Sequence, residues 1–180
     1  MTDLASFLAQ QLPLAEETVT WYRNYMQFRV ISYLSGELPP PDYITSVRGV
    51  IFQEDQVLVV RDPQSVHILP GGRREKGETL LQTLEREVLE ETGWTLHTPS
   101  LLGFKHFHHL GPEPANYAYL YPDFLQVIYI AQTDTYIPGA RRTDDYELDA
   151  FLYPIADVPQ LGLSAGEISY LAAAQFARLA

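Results

Sequence analysis

The sequence predicts an α/β or α+β fold in which helices pack against a mixed β-sheet, and three features support this fold class. Short β-rich runs begin at Tyr43 and recur as far as Tyr153. One strongly marked helix, residues 79–92, separates the early strands from the later ones. A last helix begins at Ser164, where Glu167 completes a capping box, and runs to the C-terminus.

The early strands are expected to form a hairpin. Residues 44–52 and 57–61 are rich in β-branched residues and flank the polar stretch 53–56, which is typical of a turn. Further strands are expected near residues 101–109, 124–132 and 148–153.

Residues 1–38 have the apolar spacing of helices, and their longer helical stretch, residues 14–34, has hardly any polar face. Such a helix needs burial on several sides, either against the chain's own core or, as we prefer, in a homodimer interface. Pro39, Pro40 and Pro41 cannot continue a helix and favour an extended linker. We therefore expect an N-terminal helical extension with a proline linker in residues 1–42, followed by the main domain with its C-terminal helix in residues 43–180.

Composition limits the function classes. The formal net charge of −11, with only 12 lysines and arginines, argues against binding a nucleic acid polymer, which needs a basic surface. The chain has no cysteine, which excludes disulfides, thiolate metal sites and a cysteine nucleophile. An acidic start and the lack of a long apolar run predict a cytoplasmic protein without a membrane segment.

The central helix carries an unusual group of acids. Glu87, Glu90 and Glu91 stand at i, i+3 and i+4 and share one side of the helix. Each like-charged pair costs about 0.2–0.5 kcal/mol, and an anion in the last turn costs about 0.3–1 kcal/mol more against the helix dipole. A solvated acidic face is the ordinary explanation of such a cluster. Bound divalent cations would reverse both penalties, and this favours a metal site.

The residues around these acids form a longer pattern with fixed spacing. Its positions are Gly72, Glu78, Arg86-Glu87, the apolar Val88, Leu89, Glu90-Glu91, Thr92-Gly93 and the apolar Trp94. Such a match arises by chance at a frequency on the order of 10⁻⁸ per window. The pattern resembles the complete box of the Nudix hydrolase superfamily.

The resemblance implies a Nudix-type α/β/α sandwich with a mixed sheet. It also implies that Glu87, Glu90 and Glu91 bind Mg²⁺, for which Mn²⁺ can substitute, together with a backbone carbonyl of Gly71 or Gly72. Magnesium suits carboxylate oxygens and supplies the positive charge and the acidic bound water that diphosphate hydrolysis requires.

The resemblance assigns supporting roles to other residues. Arg86 is expected to orient the carboxylates, and Glu78 to support the loop from behind them. The general base is left open among Glu90, Glu91 and Glu147, because the family does not keep this role at one position. Glu147 precedes an apolar run, as such an acid often does, but a solvent-exposed loop acid would look the same.

Substrate contacts are expected from arginines near the glycine turn and from tyrosines in a long loop. Guanidinium groups can clamp phosphate oxygens, and aromatic rings can stack on a base. Ordinary surface arginines and loop packing are the alternatives. The candidates are Arg48, Arg73, Arg74, Tyr117, Tyr119 and Tyr121.

His106 and His108 alternate along a predicted strand and should point to the same face. They fit either a metal pair or ordinary sheet and pocket residues, and the second is preferred because the glutamates already account for the metal.

These features predict a magnesium-dependent pyrophosphohydrolase that acts on a small, phosphorylated, nucleotide-like substrate. The alternative is a catalytically silent Nudix-fold module that binds nucleotides or regulates. The substrate stays open. His109 stands where the family's ADP-ribose hydrolases carry a proline, and residues 110–112 lack the tyrosine of its diadenosine polyphosphate hydrolases.

Overall fold

The structure is a computed structural model that describes residues 3–21, 26–63, 65–117, 119–142 and 148–178. Two short 3₁₀ helices, Pro41–Tyr43 and Ile155–Leu161, accompany the regular elements. Within these ranges the regular elements are, in chain order, α1 (Leu4–Leu8), β1 (Pro13–Trp21), β2 (Met26–Leu34), β3 (Ile44–Gln53), β4 (Gln56–Arg61), β5 (Val66–His67), β6 (Gly71–Arg73), α2 (Leu80–Thr92), β7 (Trp94–His109), β8 (Asp123–Tyr136), β9 (Asp149–Pro154) and α3 (Ala165–Ala177).

The described strands form one mixed sheet. Its order is β1-β2-β7-β8-β3-β4-β5, with β6 paired to β3 and β9 paired to β4. The central pair, β3 and β8, runs parallel, with Val47 opposite Val127, whereas the other pairs are antiparallel. The crossover between β3 and β8 includes α2, as parallel strands require a long connection.

Helices cover both faces of this sheet. On one face α2 packs on a cluster that includes Val47, Ile51, Leu84 and Val88. On the other face α3 packs on a cluster that includes Val50, Phe52, Tyr170 and Leu171. Alternate residues of β3 thus face opposite helices, as the strand period of two requires. The expected α/β/α sandwich is confirmed.

The helix predicted for residues 14–34 is wrong. These residues form β1 and β2 instead, and β2 pairs with β7, so the N-terminal segment extends the main sheet. The helical part of the segment is limited to α1, which packs on Phe104 through Leu4 and Phe7. The near-continuous apolar run that suggested a helix belongs to a strand buried on both faces, whose sequence need not alternate.

The homodimer prediction depended on that helix. Four of the apolar side chains behind that prediction are buried within the chain's own sheet: Phe28, Val30, Ile31 and Tyr33. Trp21, which also contributed to it, is 38% exposed. The helix on which the homodimer prediction rested is therefore replaced by strands, and the homodimer itself stays a prediction. Tyr22 and Tyr25, which contributed to the prediction, lie outside the described residues.

The elements predicted from residue 43 onward agree with the structure, except that β7 begins at Trp94 instead of near residue 101, and β5 and β6 were not predicted. The 44–61 hairpin is confirmed, and so are both capping boxes, in which Thr79 pairs with Gln82 and Ser164 with Glu167. Gly93 ends α2 in the left-handed conformation, with φ of 80°. In the part of the chain described here, no helix has the length and apolar character needed to cross a membrane.

Candidate active site

The glycine turn is built against β3. Gly71 pairs with Arg48 and has φ of 133°, which L side chains rarely adopt. A Cβ atom there would also collide with the backbone of Val47 and Arg48. The backbone N–H of Gly71 donates to Oε2 of Glu91 at 2.8 Å. This bond joins the turn to the last turn of α2.

Gly72 leaves room for a carboxylate. A Cβ atom at this position would lie only 2.6 and 2.5 Å from Oε1 and Oε2 of Glu87. Gly72 therefore allows the Glu87 carboxylate to lie directly against the backbone of β6. Glu91 approaches the same turn through Gly71, so two of the three predicted carboxylates meet there.

Arg86 holds the acids in place. Its Nε and one terminal nitrogen donate to the two carboxylate oxygens of Glu78 at 2.6 and 3.0 Å. Its other terminal nitrogen lies 2.9 Å from Oε1 of Glu87 and 3.6 Å from Oε2 of Glu90. The bidentate pair lowers the pKa of Glu78 to about 2. Burial raises the pKa of Glu87, and the Arg86 guanidinium opposes that effect.

Glu78 contacts the box loop as well as Arg86. Its Oε2 accepts from the backbone N–H of Glu75 at 3.0 Å and from the Thr83 hydroxyl at 2.8 Å. The carboxylate thus joins the loop before α2 to the first turn of that helix. Glu78 thus contacts both the box loop and Arg86, and the supporting and orienting roles of these two residues stay predictions.

Glu90 has a different set of partners. Its Oε1 lies 3.0 Å from a terminal nitrogen of Arg142, while Oε2 faces Arg86. The expectation that all three carboxylates converge is therefore met by Glu87 and Glu91, whereas Glu90 is turned towards guanidinium groups. Each oxygen of the Glu90 carboxylate therefore faces a guanidinium group.

Arg141 and Arg142 are site residues that sequence reasoning missed. The backbone N–H of Arg142 donates to the carbonyl of Glu90 at 2.7 Å, and Nε of Arg141 donates to the carbonyl of Glu91 at 3.0 Å. Both side chains place positive charge at the carboxyl end of α2 and offset the dipole penalty there. In the sequence, the pair of adjacent arginines is the only sign of this contact, because about 50 residues separate them from Glu90 and Glu91.

Two of the predicted arginines lie beside the glycine turn. Arg48 donates to the carbonyl of Leu69 at 2.9 Å, and its charge lowers the pKa of Glu87 as a minor contribution. Arg73 donates to the hydroxyl of Tyr119 at 2.6 Å, and its guanidinium lies 4.3 Å from the centre of that ring. The Arg73–Tyr119 contact brings the long β7–β8 loop to the edge of the site.

The remaining candidates have other partners. Arg74 donates to the carbonyl of Glu78 at 3.1 Å and so braces the box loop. The Tyr117 hydroxyl lies 3.0 Å from Nε2 of His109, and its ring packs on Tyr119 at 5.4 Å. The Tyr121 hydroxyl donates to the carbonyl of Gly111 within the same loop.

Glu147, the third candidate base, falls within residues 143–147, which lie outside the described residues.

The donor set of this site fits a hard divalent cation. The side chain of Glu87 is 17% exposed, and Glu91 as a whole residue is 7% exposed. Both carboxylates face the glycine turn, where a Cβ atom added at Gly71 or Gly72 would not fit. Carboxylate and backbone oxygens are the ligands that Mg²⁺ and Mn²⁺ prefer. The residues present thus fit the group that the box implies.

Comparison with known families agrees with this geometry. The NUDIX domain profile matches residues 42–174, which is most of the chain. The chain therefore belongs to the NUDIX family.

Two curated relatives match shorter segments. The Bacillus subtilis protein YjhB is 34% identical over 85 residues, covering 46% of this chain and 41% of its own length. The human 8-oxo-dGDP phosphatase NUDT18 is 28% identical over 112 residues, covering 59% of this chain and 31% of its own length. The chain thus spans less than half the length of either relative.

Among solved structures, a NUDIX hydrolase from Nitrosomonas europaea superposes with a TM-score of 0.58 at 23% identity. The match covers 75% of this chain and 89% of the other chain. At this identity the likeness supports the shared fold alone.

Proposed function

We propose that this chain is a magnesium-dependent pyrophosphohydrolase that cleaves a diphosphate linkage in a nucleoside di- or triphosphate or a related nucleoside diphosphate derivative. The observation that carries the proposal is the pairing of Glu87 and Glu91 with the glycine turn. The buried Glu91 carboxylate and the partly buried Glu87 carboxylate lie against the backbone of the glycine turn, and a divalent cation would neutralise their negative charge. The human relative NUDT18 is named for a nucleoside diphosphate, which agrees with this substrate class.

The proposed ligands are Glu87, Glu90 and Glu91, with a carbonyl of Gly71 or Gly72. When bound there, Mg²⁺, or Mn²⁺ in its place, would neutralise phosphate charge and make a coordinated water more acidic. Arg86 orients the carboxylates, because its guanidinium group donates to Glu78 and forms an ion pair with Glu87. We infer that this arrangement supports the attack of water on phosphorus.

The substrate is expected to enter between the glycine turn and the β7–β8 loop. Arg48 and Arg73 are the proposed phosphate contacts, because each lies beside the turn. Tyr119 already lies at Arg73 and is the proposed stacking residue, with Tyr117 supporting its ring. Arg74 and Tyr121 are also proposed as substrate contacts, and their polar groups would first have to leave the loop carbonyls that they bind here.

The proton acceptor is proposed to be Glu90, Glu91 or Glu147. One oxygen of Glu91 accepts from Gly71, and both oxygens of Glu90 face guanidinium groups. The pH dependence of kcat in the Glu90→Gln, Glu91→Gln and Glu147→Gln variants separates these roles. Loss of the acidic limb in one variant identifies the base.

The central test is the Glu91→Gln substitution, which removes charge and keeps the shape of a buried side chain. Loss of a catalytic metal ligand should lower kcat/KM by about 100-fold or more, because the metal contributes several kcal/mol to the transition state. Turnover is measured over a panel of nucleotide diphosphates with Mg²⁺ or Mn²⁺, and mass spectrometry identifies the cleaved bond. Glu85→Gln, an exposed acid on the same helix, is the matched control and should retain activity.

Unchanged turnover in a folded Glu91→Gln variant would overturn the proposed ligand. Tight nucleotide binding by the unsubstituted protein, without any product over the whole panel, would instead support the silent binding module.

A further inference from the structure

A second group of metal-binding side chains lies where the β7–β8 loop leaves the sheet. His106 and His108 belong to β7, and Asp123 is the first residue of β8 and the cross-strand partner of His108. Their ligand atoms all lie within 4.8 Å of one another. Alternation along β7 places both imidazoles on the face that also carries Phe104, next to the cluster covered by α1.

Both imidazoles are directed at the same carboxylate oxygen. Nε2 of His106 lies 2.6 Å from Oδ1 of Asp123, and Nδ1 of His108 lies 2.9 Å from that same atom. The side chain of His106 is 11% exposed, that of Asp123 is 24% exposed and that of His108 is 44% exposed. The group is therefore anchored in the protein on one side and open to solvent on the other.

We propose that His106, His108 and Asp123 form a transition-metal site, and that Zn²⁺ is the ion its donors fit. Two imidazole nitrogens and one carboxylate oxygen are common zinc ligands, and three protein ligands leave a fourth position for water or another donor. Mg²⁺ avoids nitrogen donors and is disfavoured here. The site thus differs in ion preference from the glutamates of α2.

The distances allow an ion to enter with small movements. Tetrahedral zinc with ligand bonds of about 2.0–2.2 Å separates neighbouring donor atoms by about 3.3 Å. The present nitrogen–oxygen distances of 2.6 and 2.9 Å are shorter than that. Separating these atoms by less than about 1 Å would bring the nitrogen–oxygen distances to that value, and the ligand nitrogens of the two imidazoles lie within 4.8 Å of each other.

A neighbouring cation does not prevent binding. Arg29 lies on β2 opposite His108, but its guanidinium forms two hydrogen bonds with Glu16, at 2.7 and 2.9 Å. The Glu16 carboxylate therefore offsets the arginine charge next to the group.

The proposed site is separate from the glycine turn. Gly72 pairs with Val47, Val47 with Val127, and Val127 with Phe104, which is two residues before His106. Three strand spacings of about 4.8 Å amount to about 14 Å, and His106 lies further along its strand. No ligand is shared between the two proposed sites.

The ion would cross-link two strands at the base of the β7–β8 loop. An ion that binds the folded protein but not the unfolded chain raises the melting temperature by mass action. Zn²⁺ should therefore stabilise the protein even when no nucleotide is present, and this effect is independent of the proposed hydrolase function.

The test measures zinc bound to the full chain after dialysis in excess Mg²⁺, which occupies the glutamates. Elemental analysis should find one equivalent of Zn²⁺ in the unsubstituted protein and in Glu91→Gln. His108→Gln and Asp123→Asn should each weaken zinc binding by more than about 100-fold. Loss of a residue that only supports a metal ligand costs about 10- to 100-fold, and these two residues are proposed as direct ligands. His97→Gln, an exposed histidine on the same strand, is the matched control and should bind zinc normally.

Spectra of the Co²⁺-substituted protein provide a second measurement, because tetrahedral and octahedral cobalt differ in colour and intensity. Circular dichroism checks that each variant is folded, and His108→Gln is the primary variant because its side chain is half-exposed. Absence of retained zinc in the unsubstituted protein, or retention by folded His108→Gln and Asp123→Asn, would refute the site. Loss of zinc in Glu91→Gln with retention in His108→Gln would assign the ion to the α2 glutamates instead.

Discussion

Substitution of Gly72 by alanine tests the site geometry most directly. Gly72 does not have a positive φ, so alanine introduces little backbone strain, and the atoms that its Cβ meets belong to the Glu87 carboxylate. Both carboxylate oxygens would lie within 2.6 Å of the new carbon, against an ordinary contact distance of 3.4 Å or more. The carboxylate must therefore withdraw by roughly 0.9 Å.

A displacement of about 1 Å at a catalytic centre can lower the rate by about 100-fold, which corresponds to about 2.7 kcal/mol of lost transition-state stabilisation. We expect Gly72→Ala to lower kcat/KM by this amount and to weaken Mg²⁺ binding, while the melting temperature changes little. Steady-state kinetics with titrated Mg²⁺, together with calorimetric metal binding, measure both effects.

Two other glycines serve as controls. Gly36→Ala meets nothing within 4 Å and should behave as the unsubstituted protein. Gly71→Ala combines φ of 133° with backbone collisions, so it should lower the free energy of unfolding as well as activity. Activity and metal affinity of Gly72→Ala within twofold of the unsubstituted protein would refute the assigned role of the Glu87 carboxylate.

Three further predictions concern contacts away from the metal ligands. Tyr170→Phe should lower the free energy of unfolding by about 1–3 kcal/mol, because its buried hydroxyl donates to the carbonyl of Phe104 at 2.6 Å, and denaturant titration measures this loss. Tyr119→Phe should raise KM by about 2- to 10-fold and leave kcat unchanged, since it removes the exposed hydrogen bond from Arg73 and keeps the ring. Burial lowers the pKa of His67 to about 4, so folded His67 stays neutral while the unfolded chain takes up a proton below about pH 6.5. Stability from this residue should be complete above about pH 6.5 and fall by up to about 3 kcal/mol towards pH 4, and His67→Gln should remove that part of the pH dependence.

Each of these predictions has a contrary outcome. Equal unfolding midpoints for Tyr170→Phe and the unsubstituted protein would mean that the hydroxyl bond adds no net stability. A fall in kcat with constant KM for Tyr119→Phe would place the tyrosine in the chemical step. An identical pH dependence of stability with and without His67 would show that other groups account for acid unfolding.

Sequence reasoning worked best where the deciding contacts are local. The bounds of α2 followed from the Thr79–Gln82 capping box and from Gly93, whose partners lie within one or two helical turns. The proximity of Glu87 to Gly72 agrees with what the resemblance to the Nudix box implied. Such signals depend on neighbouring residues, so they can be recognised without knowledge of the rest of the fold.

Strand identity in the N-terminal segment required the tertiary structure. An apolar run such as residues 26–34 fits a buried helix and a buried strand equally well, and the choice depends on what covers it. Pairing of β2 with β7, some 75 residues later, decided for a strand. The same pairing buries Phe28 and Val30 within the chain's own sheet.

By itself, the sequence determined the family, the box helix and the acids that belong together on it. Only the tertiary structure decided that Glu90 is turned to Arg142, that Arg73 meets Tyr119, and that His106, His108 and Asp123 converge. The physical reason is that helix periodicity and capping act over a few residues, whereas these contacts join segments that only the sheet and its loops bring together.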